Sequence, residues 1–284
     1  MQKKIEHILA GRMKQITAEE RVRQPLPHKD FRFANPFIVL HHLGPEEIAP
    51  GGQLRIHPHP HRGFAPVTFQ LQGAGYHKDS AGHEKTIHAG DTQWMFAGRG
   101  LLHSEGPTPE LLQKGGIQEL IQLWINVPTA HKWDEPAYQS ATCAMQPPVL
   151  QQEGVNLRLA SGSYDDKTGP LKSFTSVISI VGDIAKGKRV QFTATPGYWT
   201  LLYVIKGAIT INCETVTQYN LVVFEKENDE IIITAEEDTQ VLFLSAEPIT
   251  EPVAAKDNFV MNTPEEIEQA IEDYKKGVFG HLDS

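Results

Sequence analysis

Nine of the thirteen histidines in this 284-residue chain fall between His41 and His103, and that clustering is where chemistry is to be sought. Residues 57–64 read His57-Pro-His59-Pro-His61-Arg-Gly-Phe64. In an extended strand alternate side chains share a face, and residues two apart are separated by roughly 6.6 Å, so two neighbouring imidazoles can converge on one ion. From His57 to His61 the span is about 13 Å, too far for both to make bonds of about 2.1 Å to one metal unless the chain bends sharply. The pair is therefore His57 with His59, or His59 with His61. A second pair at the same spacing, His103 and Glu105, follows the glycine-rich stretch Ala97-Gly98-Arg99-Gly100. Three nitrogens and one carboxylate suit Fe(II), Ni, Cu or Zn, whereas Ca and Mg want oxygen alone. Four protein ligands leave one or two positions open on iron or copper, which is what a substrate and O2 need.

The elements that must carry these pairs read as strands. Val67–Leu71, Thr92–Phe96 and Leu120–Ile125 are rich in β-branched and aromatic residues and separated by Gly or Pro. Residues 128–154, with Pro128, Pro136, Pro147, Pro148 and Gly154, break that rhythm and read as a long crossover linker. Strand-like runs resume at Ser176–Val181, Thr200–Ile205, Leu221–Phe224, Ile231–Thr234 and Val241–Leu244. Phe69-Gln-Leu-Gln-Gly73 aligns with Tyr203-Val-Ile-Lys-Gly207, 134 residues further on, and the same offset sets His59-Pro-His-Arg-Gly63 on Thr193-Ala-Thr-Pro-Gly197. A repeat of many short strands predicts an all-β protein of two small barrels or jelly rolls, the second copy lacking the histidines. One helix is expected near the end. Thr263 caps it, Pro264 takes its first position, Glu266 completes a capping box, Ile267, Ala270, Ile271 and Tyr274 recur at helical spacing, and Gly277 stops it.

Composition narrows the partners. A formal charge of −9 from 26 basic and 35 acidic residues opposes direct binding of nucleic acid, whose phosphates are met by Lys and Arg. The two cysteines, Cys143 and Cys213, have neither disulfide-framework nor metal spacing, which makes reducing cytoplasm the expected setting. The first ten residues lack an apolar signal-peptide core, and no apolar run approaches the roughly 18 residues that a bilayer span requires. The expectation is a cytoplasmic protein with no membrane contact.

Taken together, His59-Pro-His61-Arg-Gly-Phe64, Gly90-Asp-Thr-Gln-Trp-Met95, Ala97-Gly98-Arg-Gly100 and His103-Ser-Glu105 resemble the two signature blocks of the pirin family, within the cupin superfamily. Asn35-Pro-Phe37 and His42-Leu-Gly-Pro45 resemble that family's entry segment, and Glu247-Pro, Glu251-Pro-Val253 and Phe259–Ile267 its closing one. The resemblance implies a bicupin: residues 1–140 form a metal-binding cupin domain, and residues 141–284 a second cupin domain that lacks a metal site and ends in the helix. It also implies that His59, His61, His103 and Glu105 hold one divalent metal, with Fe(II) first and Cu, Ni or Zn as alternatives, leaving His57 as a spare. The chain departs from the family at Ala65, where a glutamate is usual, and at His41, where an acidic residue is common.

Two functions follow from the resemblance. The first is cleavage of a quercetin-like flavonol by O2, with Glu105 as the base for the substrate hydroxyl. The second is an iron-binding, redox-sensing regulator that binds partner proteins without catalysis. Beside them stands a third reading, a bicupin that stores metal or has lost activity, because a fold does not by itself imply a function. Other residues are assigned plainer places. His77, His83 and His88 read as a solvated hairpin, one of which a loop over the barrel mouth could present to substrate; His41 reads as loop surface or as lining of the site mouth, and Trp94 and Trp124 as core within strands or part of the pocket wall. Arg62 and Arg99 read as structural ion pairs or as contacts for an anionic substrate.

Overall fold

Phe64 through Gln70 and Thr200 through Ile205 are buried without interruption, so both faces of those two strands are covered. The computed structural model describes residues 1–16, 20–52 and 56–283. Packing groups the chain into two compact units, each made of two segments: 37–143 with 249–284, and 1–36 with 144–248. The sequence reading divided the chain into consecutive halves at 140 and 141.

In the unit that carries the histidines, the strands Ala137–Ala141, Thr92–Phe96, Phe64–Gln72, Gly116–Asn126 and Phe37–Ile48 lie in that order in one antiparallel sheet. Ile56–His61, Leu101–Pro107, Ala74–Asp79 and Glu84–His88 form a second antiparallel sheet. The chain thus crosses repeatedly between two sheets, staying in one only from Ala74–Asp79 to Glu84–His88 and from Gly116–Asn126 to Ala137–Ala141, the jelly-roll arrangement.

The other unit repeats the plan. Its larger sheet runs Ile5–Ala10, Asn220–Phe224, Trp199–Lys206, Thr239–Ala246, Val177–Ile184, Val155–Ser161 and Pro148–Gln152. Its smaller sheet runs Arg189–Thr193, Glu230–Ala235, Ala208–Ile211 and Glu214–Thr217. The aligned glycines Gly73 and Gly207 leave corresponding strands at φ +77° and +78°, a left-handed turn that a side chain disfavours. Between the sheets of this unit, Val190, Phe192, Ile231, Ile233 and Phe243 fill the interior, with Phe192 stacked on Phe243 at 4.6 Å. Each such side chain contributes about 1.5–3 kcal/mol on burial.

The linker expected over 128–154 is more ordered than its prolines suggested. It holds the strands Ala137–Ala141 and Pro148–Gln152, each paired with a neighbour in its own unit. Proline interrupts ladder bonding only where its missing N–H is needed, and edge positions tolerate it.

The helix Pro264–Lys275 is capped as expected: Thr263 Oγ1 accepts from the Glu266 N–H at 3.2 Å, and Glu266 Oε2 accepts from the Thr263 N–H at 3.1 Å. Ile267 and Ala270 pack with Phe259, Met261 and Phe279. Arg62, 2% exposed, reaches this helix, donating to Asp273 Oδ2 at 2.8 Å and lying over the Phe279 ring at 4.6 Å. Its guanidinium is thereby committed to structure. Arg99 pairs with Glu135 at the surface.

Beside Arg62 the chain turns at Gly63, φ +83°, where a Cβ would collide with the Val260 carbonyl. The buried Lys132 Nζ donates to the carbonyls of Gly63 at 2.7 Å and Val260 at 2.8 Å and to Asn126 Oδ1 at 2.6 Å. That clamp fixes the end of the strand that presents His59 and His61.

Candidate metal centre

Two paired strands present the site. Ile56–His61 and Leu101–Pro107 run antiparallel with His59 opposite His103 and His61 opposite Leu101, and the register shifts between His103 and Glu105. Residues directly opposite on a pleated sheet project to the same face, so His59 and His103 meet. Their Nε2 atoms lie 2.8 Å apart. Nitrogen atoms of His59, His61 and His103 all fall within 4.8 Å of one another, the cluster of this kind among the described residues. Glu105 stands at its edge, with Oε1 4.0 Å from His103 Nε2 and accepting from Gln122 Nε2 at 2.7 Å.

The cluster fits a divalent metal on three counts. First, the outer nitrogens are occupied: His59 Nδ1 donates to the His57 carbonyl at 2.9 Å, and His61 Nδ1 to the Asn258 carbonyl at 3.3 Å. That leaves the Nε2 lone pairs turned inward. Second, His61 Nε2 is buried without a hydrogen-bond partner, an arrangement that costs about 1–3 kcal/mol unless something positive meets it. Third, two nitrogens about 2.1 Å from one ion and at right angles lie about 3 Å apart, near the separation of His59 and His103.

Electrostatics agree. Burial first, and then the neighbouring His59, hold the His61 and His103 imidazoles well below the usual histidine range, so both are neutral donors at pH 7. The donor set of imidazoles and a carboxylate is borderline in hardness and suits first-row transition ions.

A further set of side chains surrounds these four, and the sequence reading assigned it elsewhere. His77 and Asp79 are 1% and 3% exposed, so His77 is buried and not solvated. The strand Ala74–Asp79 pairs with Leu101–Pro107, placing Asp79 opposite His103 and His77 opposite Glu105. Burial alone would raise the Asp79 carboxyl, yet the hydrogen bonds from His77 and the His83 backbone hold it below its ordinary value. His83 does reach solvent, while His88 is exposed as expected. The readable signal was the spacing: His77-Lys-Asp79 is a third pair two residues apart, like those that drew attention to the site.

Trp124 Nε1 donates to Gln122 Oε1 at 3.1 Å, and its ring lies 4.5 Å from Phe64 and 5.6 Å from His61. It is core and site wall at once. Trp94 is buried core. His41 belongs to a strand, Phe37–Ile48, with its ring 6.3 Å from Trp124, and is not loop surface. His57 is exposed, and its backbone carbonyl serves His59.

A jelly-roll interior that gathers three imidazoles and a carboxylate from two paired strands defines a cupin whose site fits a divalent metal. Comparison makes the assignment narrower. The family model described as Pirin matches residues 17–125, and that described as Pirin C-terminal cupin domain matches residues 180–280. Pirin-1 of Arabidopsis thaliana is 31% identical over 266 residues, which cover 91% of this chain and 88% of that protein. The chain belongs to the pirin family.

Among solved structures, that of quercetin 2,3-dioxygenase from Acinetobacter baumannii matches with a TM-score of 0.94 and 34% identity over 100% of both chains. The bacterial pirin YhhW of Escherichia coli in complex with nickel(II) shares the fold, with a TM-score of 0.68 and 20% identity over 86% of this chain and 99% of that one. No helix among the described residues is long and apolar enough to cross a membrane.

Proposed function

We propose that the protein is a dioxygenase that opens quercetin-like flavonols with O2, using one Fe(II) held by His59, His61, His103 and Glu105. The observation that carries this reading is the convergence of three inward Nε2 atoms, one of them buried and partnerless, beside a carboxylate. Likeness over the full length to the Acinetobacter baumannii quercetin 2,3-dioxygenase supports the choice of substrate. On this reading the metal-binding repeat lies within residues 1–140 and the second repeat within residues 141–284, residues 1–36 and 249–284 each packing with the other repeat's unit, and the protein works in the cytoplasm.

When bound, the ion supplies Lewis acidity that lowers the pKa of the flavonol 3-hydroxyl. The chain supplies the rest. Glu105 accepts the hydroxyl proton on the carboxylate oxygen that Gln122 does not hold, while the Gln122 donor at 2.7 Å keeps the other oxygen oriented. Trp124, packed on Phe64 beside His61, offers an aromatic wall against which a flat substrate can lie.

The test is to load the protein with Fe(II), Cu(II) or Ni(II), add quercetin in air, and follow flavonol absorbance and carbon monoxide. The parent consumes quercetin, and Glu105→Ala slows it about 100-fold or more, the usual worth of a positioned base. Metal-loaded parent that leaves quercetin intact overturns the enzyme reading in favour of an iron-binding regulator with protein partners.

A further inference from the structure

We propose that His77 and Asp79 are positioning residues for the metal centre, which together fix His103 in the tautomer whose Nε2 lone pair faces the ion. This rests on the ligand role given to His103 above. Each of the three imidazoles needs an acceptor for its Nδ1–H if Nε2 is to bind a metal. His59 and His61 use backbone carbonyls, which can only accept. Among the described residues no carbonyl meets His103 there. Its Nδ1 faces another ring nitrogen, Nδ1 of His77, at 3.5 Å.

A ring nitrogen accepts only when the proton sits on the other nitrogen of the same ring. Asp79 decides that location. Its Oδ2 lies 3.0 Å from His77 Nε2, and an ionised carboxylate can only accept, so the His77 proton is held on Nε2. The carboxylate is itself anchored: Oδ1 accepts from the backbone N–H groups of Ala81 and His83, both at 3.0 Å, and His83 Nδ1 contacts both oxygens at 3.1 and 3.0 Å.

The His77 ring is also held on its face. Tyr138 stacks on it at 4.8 Å and 25°, and the Tyr138 hydroxyl donates to Gln93 Oε1 at 2.9 Å. Were the His77 proton on Nδ1 instead, that nitrogen would donate to His103 Nδ1. The His103 proton would then sit on Nε2, where the ion belongs. The position of one proton on His77, outside the ligand set, therefore determines whether the third imidazole can bind a cation. Carboxylate partners of ligating histidines set the tautomer in this manner, and their loss typically weakens metal binding by about 10–100-fold.

The experiment measures Ni(II) affinity by competition with a chromogenic chelator, with Co(II) ligand-field absorption as a second readout. His77→Phe keeps a ring under Tyr138 but offers no acceptor, and it weakens Ni(II) binding about 10–100-fold and alters the Co(II) spectrum. Asp79→Asn presents an amide donor to His77 and does the same. His77→Asn returns an acceptor oxygen near the original Nδ1 and restores most of the affinity. A His77→Phe protein that binds Ni(II) as the parent does, or a His77→Asn protein as weak as His77→Phe, overturns the proposal, provided both melt at the parent's temperature without metal. A parent that binds neither metal overturns the ligand role of His103, and this inference with it.

Discussion

Acidifying the metal-free protein tests the electrostatic reading of the centre. His61 and His103 are each 1% exposed, and burial followed by the charge of His59 keeps their pKa well below the ordinary value near 6.5. In the unfolded chain both titrate near 6.5. Below that pH the unfolded state binds more protons than the folded one, so stability falls as pH falls, and the loss continues down to the folded pKa. For one such histidine the loss between pH 7.5 and 5.5 is on the order of 1 kcal/mol, and the two together lose on the order of 2 kcal/mol. Against a total stability of about 5–15 kcal/mol that is readily measured. The assay is urea unfolding followed by tryptophan fluorescence at pH 7.5, 6.5 and 5.5 in the presence of a chelator. A His61→Asn, His103→Asn double variant, whose amides do not titrate, loses most of that dependence. A parent whose stability changes by less than about 1 kcal/mol, or a double variant as acid-sensitive as the parent, refutes the reasoning.

Three further outcomes follow from contacts around the centre. Gln122→Leu removes the 2.7 Å donor to Glu105 and leaves Trp124 Nε1 without its acceptor, and chelator competition should show metal affinity falling about 10-fold or more. Asp273→Asn leaves the buried Arg62 guanidinium without its counter-charge, and urea unfolding should register a loss of about 3 kcal/mol. Thr263→Ala deletes the cap that receives the Glu266 N–H, for which the same assay should give about 1 kcal/mol.

Much of this protein was legible in its sequence. Apolar runs bounded by Gly and Pro located the strands because these strands are covered on both faces and so read as continuous β-branched and aromatic runs, and Thr92–Phe96, buried at every residue, is the strand whose bounds match throughout. Thr263, Pro264 and Glu266 marked the helix start because capping is a local hydrogen-bond pattern. The offset between Gly73 and Gly207 exposed the repeat, since both residues must turn left-handed after equivalent strands.

Spacing alone left His57 and His61 as rival partners for His59, because alternation states which residues share a strand face and nothing about which neighbouring strand covers it. Tertiary register brought His61 to it: His59 stands opposite His103, Lys132 and Gly63 fix the strand end, and His61 joins the cluster of His59 and His103 while His57 stays at the surface. The same kind of pairing buried His77 and Asp79 against the strand of His103 and Glu105, although the local sequence reads as a polar hairpin. It also brought Tyr138 onto His77 from a stretch whose prolines suggested a linker. Local chemistry is written in neighbouring residues, but burial and the partner of each proton depend on strands far apart in the chain, and only the folded sheets bring those together.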